Sequence, residues 1–417
     1  MDSHSFVQLS LQITVMLACA VLCGEWMRKV GQPAVLGEMI GGILLGPTVF
    51  GVLAPSWYEG LFLSSAGVTT AREAVVKLGM LFFLFIVGLE INLSGLKRLG
   101  SKAASIGLTG TLLPIGAGVG LVCLMPADFW GAQVQSHLTA FALFMGLSLA
   151  NSANPVIARI LMDMGLLKKE LGTLIMTATI FDDLINWTLF AVILNEISPA
   201  DGTARAGGML ADLGMVAVFF LVVLVIGRWM NRRLFNWVKA RVSWPAGFIA
   251  ATIPVILLAS IAAEKLGIHA FLGAFLVGVA LGGEDDQNRA QVRGIIASFA
   301  LSFFAPIYFV SMGLNANFVT RFDAALVTVI ILAACVSKIG AVVIGARLAG
   351  MPLNGKTWAI GFGLNARGAT GIILAGVGFE EGLIDERIFV AMVIMALVTS
   401  LLSGPMMKRL LAKGAPA

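Results

Sequence analysis

Thr177-Ala-Thr-Ile-Phe-Asp182-Asp183-Leu-Ile-Asn186-Trp187 sets two adjacent carboxylates in the middle of a long apolar segment, 171–195. The segment has the length of a bilayer-spanning helix. A charge near the centre of such a span costs about 2.5 to 3.5 kcal/mol on insertion scales, so an intramembrane carboxylate marks a functional site. Its presence raises the question of which cation offsets it.

The composition around this pair describes the same setting. Of 417 residues, 59% are hydrophobic and 12% charged, which leaves too little polar material to cover a water-soluble globule. The chain reads as an all-α polytopic membrane protein. Cys19, Cys23, Cys123 and Cys335 fall in apolar segments at unrelated spacings, which argues against a disulfide framework or a thiolate metal centre. His4, His137 and His269 form no zinc-binding pair. Neither a cofactor nor enzymatic activity is expected. The net charge of +5 is explained by loop topology rather than by nucleic-acid binding.

About 13 apolar spans are expected, at 6–24, 33–54, 74–91, 103–125, 138–162, 171–195, 210–227, 246–263, 267–283, 298–314, 324–345, 357–379 and 388–407. No cationic stretch precedes the first, so it reads as a retained span rather than a cleaved signal. Basic residues gather in every second loop: Arg28 and Lys29, Lys97 and Arg98, Lys168 and Lys169, then an arginine-rich stretch at 228–241. The positive-inside rule puts the N terminus outside and the C terminus in the cytoplasm.

An internal repeat follows. Gly37, Gly42 and Gly46 of the second span match Gly273, Gly278 and Gly282 of the ninth at one constant offset. Gly88-Leu89-Glu90-Ile91-Asn92 of the third matches Gly313-Leu314-Asn315-Ala316-Asn317 of the tenth. A shift of seven spans is odd, so the second copy runs through the membrane in the opposite direction, as in secondary transporters. In such repeats the site lies where helices are interrupted at the midplane. Asn151, Ser152, Asn154 and Pro155 break the fifth span, and Gly361, Gly363, Asn365, Arg367 and Gly368 break the twelfth. Gly361-x-Gly363-x-x-Ala366 has the form of a dinucleotide fingerprint, but no βαβ unit surrounds it.

Deep in span eleven lies Lys338, too far from either end to reach the interface. By elimination the buried ionisable set is Asp182, Asp183, Lys338, Arg159 and Arg367, with Glu38 and Glu90 nearer the boundaries. One aspartate paired with Lys338 would leave the other without a fixed partner, open to competition between protons and metal cations. Arg159 and Arg367 read as structural, paired with Glu90, Glu38 or exposed carbonyl ends.

Leu36-Gly-Glu-Met-Ile-Gly-Gly-Ile-Leu-Leu-Gly-Pro47, Phe85-Ile-Val-Gly-Leu-Glu90, Asn154-Pro-Val-Ile-Ala-Arg-Ile-Leu161, Phe181-Asp-Asp183 and Asn365-Ala-Arg-Gly368 together resemble the monovalent cation:proton antiporter superfamily, in its bacterial NapA/Kef-like branch. The resemblance implies 13 helices, a homodimer in the bacterial cytoplasmic membrane and an elevator-like motion. It implies a dimer or gate part at about 1–98 and 228–322 and a core transport part at about 99–195 and 323–414. It further implies Asp183 as carrier of Na+ or K+ and of protons, Asp182 as partner of Lys338, and electrogenic exchange. Where members show Thr-Ala-x-Pro, this chain has Ser152-Ala153-Asn154-Pro155, which leaves Na+ against K+ open. Kef-type relatives continue into a cytoplasmic regulatory domain, which is not expected here. A Kef-like potassium system needing a partner subunit and a sodium-coupled solute symporter are the alternatives.

Overall fold

The computed structural model describes the chain apart from Met1, 64–65, 91–95, 132–133, 135–136, Lys168, 198–213, 216–217, Phe220, Leu224, 228–245, 267–269, 283–293, Asn315 and 413–417. The arginine-rich 228–241 stretch, most of the seventh expected span (210–227), and Asn92 and Asn315 of the repeat therefore lie outside the described residues, as do the side chains of Glu90, Lys97, Arg98 and Pro155.

The main helices are α1 (Ser3–Lys29), α2 (Ala34–Leu45), α3 (Ala66–Glu90), α4 (Leu96–Leu124), α5 (Leu138–Ala150), α6 (Asn154–Asp163), α7 (Glu170–Ile197), α8 (Ala246–Lys265), α9 (Ala270–Leu281), α10 (Ala305–Leu314), α11 (Ala324–Leu348), α12 (Gly355–Leu364), α13 (Gly368–Glu380) and α14 (Glu386–Ala412). Main helices thus lie on twelve of the 13 expected spans, and the described residues of the seventh are helical too. Among the described residues eight helical stretches are long and apolar enough to cross a membrane, three of them (Ala34–Leu53, Gly294–Leu314 and Gly355–Glu380) joining consecutive helices, and α5 and α9 are shorter apolar helices. Helices satisfy every internal backbone group within the segment, as a bilayer demands. Their ends are capped locally: Asp323 accepts from Leu326 N at 3.0 Å to start α11, and Asn354 accepts from Lys356 N and Thr357 N to start α12. α3 begins eight residues before the expected span, because hydropathy sees the apolar part of a helix and not the polar turns that extend it.

The chain divides into two compact units. Unit 1 comprises Met1–Ile91 and Ala217–Arg321. Within it α2 packs on α1 and α10, and α3 packs on α9. The glycines of the repeat make these crossings. A Cβ on Gly42 would meet the Val310 carbonyl of α10, and one on Gly313 would meet the backbone of Gly42. The same reciprocity holds for Gly88 against Phe275 and Gly278, and for Gly278 against Phe85 and Gly88. Each repeat motif packs against the opposite motif of the other copy. Small residues allow this backbone approach, which drives helix association in lipid.

Unit 2 comprises Asn92–Val216 and Phe322–Ala417. Here α4 packs on α5, α7 and α11, and α14 packs on α11, α12 and α13. Two helices are interrupted in mid-span, α5/α6 at 151–153 and α12/α13 at 365–367. Pro155 sits in the first turn of α6, where a missing N–H leaves no intrahelical bond unmade.

Candidate functional site

The two interruptions meet inside unit 2. Ala153 N donates to Ala366 O at 2.7 Å, and Asn151 Nδ2 donates to Thr370 Oγ1 at 2.9 Å. Leu364 O lies 2.7 Å from Ser152 Oγ, within reach of its proton. Four half-helix ends thereby converge in a buried crossing, and an isolated break would leave their backbone groups orphaned.

Cationic side chains answer the carbonyl ends. Arg367, fully buried, donates Nε to Ser148 O at 3.2 Å and Nη2 to Leu149 O at 2.5 Å at the C-terminus of α5. It also donates to Asn365 O and Asn365 Oδ1 at 3.0 and 2.7 Å, and to Ala334 O at 3.1 Å. Lys338, also 0% exposed, spends its ammonium hydrogens on Gly110 O at 2.9 Å, Ala150 O at 2.5 Å and Asp182 Oδ2 at 2.5 Å. A protonated amine has three donors, so Lys338 is fully committed. Both cations lie where the C-terminal dipole of α5 favours them.

The adjacent aspartates, each 1% exposed, are held differently. Asp182 accepts from Lys338, from Ser152 Oγ at 2.5 Å and from Thr111 of α4. Asp183 accepts from Asn154 Nδ2 at the first residue of α6. A carboxylate near a half-helix N-terminus also gains from the positive end of its dipole. On the other broken helix, Gly368 N donates to Ser400 Oγ of α14 at 2.8 Å, so a neutral hydroxyl serves the N-terminus of α13. The two halves of unit 2 are thus alike in frame and unlike in charge.

Asp182, Asp183, Lys338, Asn151, Ser152, Asn154, Asn365 and Arg367 are brought together in this one crossing, while the expectations for Asp183 and Arg159 are corrected. Asp183 has a partner in the Asn154 amide, because the break turns that side chain toward α7. Arg367 takes one of the alternatives expected for it, exposed carbonyl ends, and pairs with no carboxylate among the described residues, because it is drawn to the opened end of α5. Arg159 is exposed rather than buried, since α6 turns Ile157 and Leu161 inward and Arg159 away from them. Glu38 lies buried in unit 1, where its Oε2 has no hydrogen-bond partner among the described residues. Thr111 escaped the sequence reading, although a hydroxyl in mid-span was a legible signal.

Comparisons with known proteins bear on the family and the fold. Residues 15–413 match the family model described as sodium/hydrogen exchanger, transmembrane. The chain is 32% identical to cation/H(+) antiporter 18 of Arabidopsis thaliana over 95% of its own length. It spans about half the length of that relative, 48%. Na(+)/H(+) antiporter NhaS4 of Synechocystis is 27% identical with 98% of each chain covered. Na(+)/H(+)-K(+) antiporter GerN of Bacillus cereus is 27% identical over 95% of each. The fold matches that of the sodium proton antiporter MjNhaP1 from Methanocaldococcus jannaschii, with a TM-score of 0.69, 14% identity and 98% and 99% of the two chains covered. The chain is a multi-pass membrane protein and belongs to the transmembrane sodium/hydrogen exchanger family.

Proposed function

We propose that this chain exchanges a monovalent cation for protons by competition at Asp183. The observation that carries the reading is the unequal treatment of two adjacent, equally buried carboxylates. Asp182 is clamped by Lys338, Thr111 and Ser152, whereas Asp183 meets the neutral amide of Asn154. A proton and a dehydrated alkali cation are alternative partners for such a carboxylate, and only one of them occupies it at a time. Crossing between two access states with Asp183 neutralised in either way, and not otherwise, couples the two fluxes.

Na+ is the substrate in this reading. K+ is the second, favoured by the description of GerN as a Na(+)/H(+)-K(+) antiporter and of a yeast relative as a K(+)/H(+) antiporter. Protonation of Asp182 releases Lys338 and supplies a second proton, which makes the exchange electrogenic. Unit 2 carries the site in an elevator-like motion, and unit 1 provides the contact of a homodimer. The protein lies in a bacterial cytoplasmic membrane with its N terminus outside and its C terminus in the cytoplasm.

The test is reconstitution in sealed vesicles with an imposed pH gradient. Na+ or K+ is added separately, and internal pH is followed with and without a clamped voltage. Collapse of the gradient by one cation, at a voltage-dependent rate, is the expected result. Failure of both cations to move protons refutes the proposal.

A further inference from the structure

Asn186 lies on α7, three residues after Asp183 and four after Asp182. At 3.6 residues per turn its side chain leaves the helix about 40° from Asp182 and about 60° from Asp183, between the two directions, and about 4.5 to 6 Å further along the axis. It is 4% exposed, and both its Oδ1 and its Nδ2 are buried with no hydrogen-bond partner among the described residues. An amide left in that condition is destabilising, and an apolar side chain of the same shape would avoid the cost. Packing alone therefore does not account for an asparagine here.

A second orphan belongs to the residue that donates to Asp183. Asn154 is 3% exposed and gives Nδ2 to Asp183, while its Oδ1 is buried with no hydrogen-bond partner among the described residues. The nitrogen faces an ionised carboxylate by chemical necessity, which leaves the oxygen turned from it. Two amide oxygens without donors and one carboxylate thus share the end of α6 and one face of α7. Neutral carbonyl oxygens are hard ligands suited to alkali cations, and they add no negative charge to the membrane interior.

We infer that Asn186 is a ligand of the transported cation, and that the side-chain carbonyls of Asn154 and Asn186 complete the oxygen set begun by Asp183. The inference rests on Asp183 being the cation carrier. Nδ2 of Asn186 donates to a water that the cation retains, so the ion is held partly hydrated, and the Asn186 carbonyl helps set the preference between Na+ and K+. A proton bound at Asp183 needs neither amide oxygen, so Asn186 acts on the cation half of the exchange alone.

The experiment is Asn186→Leu in the full chain, reconstituted, with the half-saturating Na+ and K+ concentrations, the pH for half-maximal rate and the melting temperature measured together. Expected are a rise of about tenfold in KM for the preferred cation and a maximal rate within about threefold of wild type. The ratio of the two cations' KM values shifts, the pH for half-maximal rate does not move when each protein is assayed at the same multiple of its own KM, and the melting temperature does not fall. Unchanged KM values and an unchanged ion ratio overturn the inference. So does a steep fall in melting temperature or in folded yield, since the amide would then be bonded within the fold. Asp183→Asn is run beside it: exchange that persists in that variant refutes the carrier assignment itself, a failure distinct from that of Asn186.

Discussion

Lys338→Met is the perturbation whose size the structure sets most directly. The ammonium makes three contacts with buried oxygens, two on carbonyls at Gly110 and Ala150 and one on the Asp182 carboxylate. Methionine fills a similar volume and satisfies none of them. Breaking a buried pair by removing one partner costs about 3 to 5 kcal/mol, most of it from the uncompensated charge left behind. Thr111 and Ser152 still reach Asp182 in the variant, which favours the lower end of that range. Asp182→Leu alone strands the lysine and is expected to cost as much. In the double variant both charges are gone, and replacing a buried pair by apolar side chains is often neutral or stabilising, so most of the loss returns. Thermal unfolding of the four proteins in one detergent closes the cycle. A Lys338→Met penalty below about 1 kcal/mol, or a double variant whose loss is the sum of the two singles, refutes the assigned clamp. Transport by Lys338→Gln then separates the two roles of the lysine. Exchange that is retained but insensitive to voltage marks the pair as the second proton carrier, and retained voltage dependence marks Lys338 as a structural strut.

Asp183→Asn is expected to abolish cation-dependent proton flux in vesicles while leaving the melting temperature near wild type, since the amide stays within reach of Asn154. Gly88→Ala drives a Cβ into the Phe275 backbone at the α3–α9 crossing and is expected to cost about 1 to 3 kcal/mol in thermal unfolding. Gly340→Ala, where a Cβ meets nothing within 4 Å, is the matched control and is expected not to destabilise. Arg367→Lys keeps the charge but loses the planar fork that spans Ser148, Leu149, Asn365 and Ala334, so a clear drop in melting temperature is expected.

What was legible in the chain is local or periodic. Apolar runs announce spans because the bilayer penalises each polar side chain independently of its neighbours. Glycines at a constant offset announced the repeat, and their reciprocal crossings explain the offset: each glycine is kept small by the backbone that lies against it. The broken helices were legible from Asn151 to Pro155 and from Gly361 to Gly368, because helix breakers act on their own segment. The early start of α3 was not, since its first turns carry Arg72 and Glu73 and escape a hydropathy reading.

From the sequence alone came the membrane setting, the spans, the inverted repeat, the two interruptions and the short set of buried charges, all of which follow from residue types and their spacing. Which charge met which partner was decided only by tertiary structure. Arg159 and Arg367 occupy comparable places after the two breaks, yet one is exposed on α6 and the other is buried against five oxygens. Asn154 was legible as part of a break, but its bond to Asp183, and the unsatisfied amide atoms of Asn154 and Asn186, came only with the fold. Hydrogen bonding and burial are properties of a neighbourhood, and residues 30 to 220 positions apart become neighbours only when the helices pack.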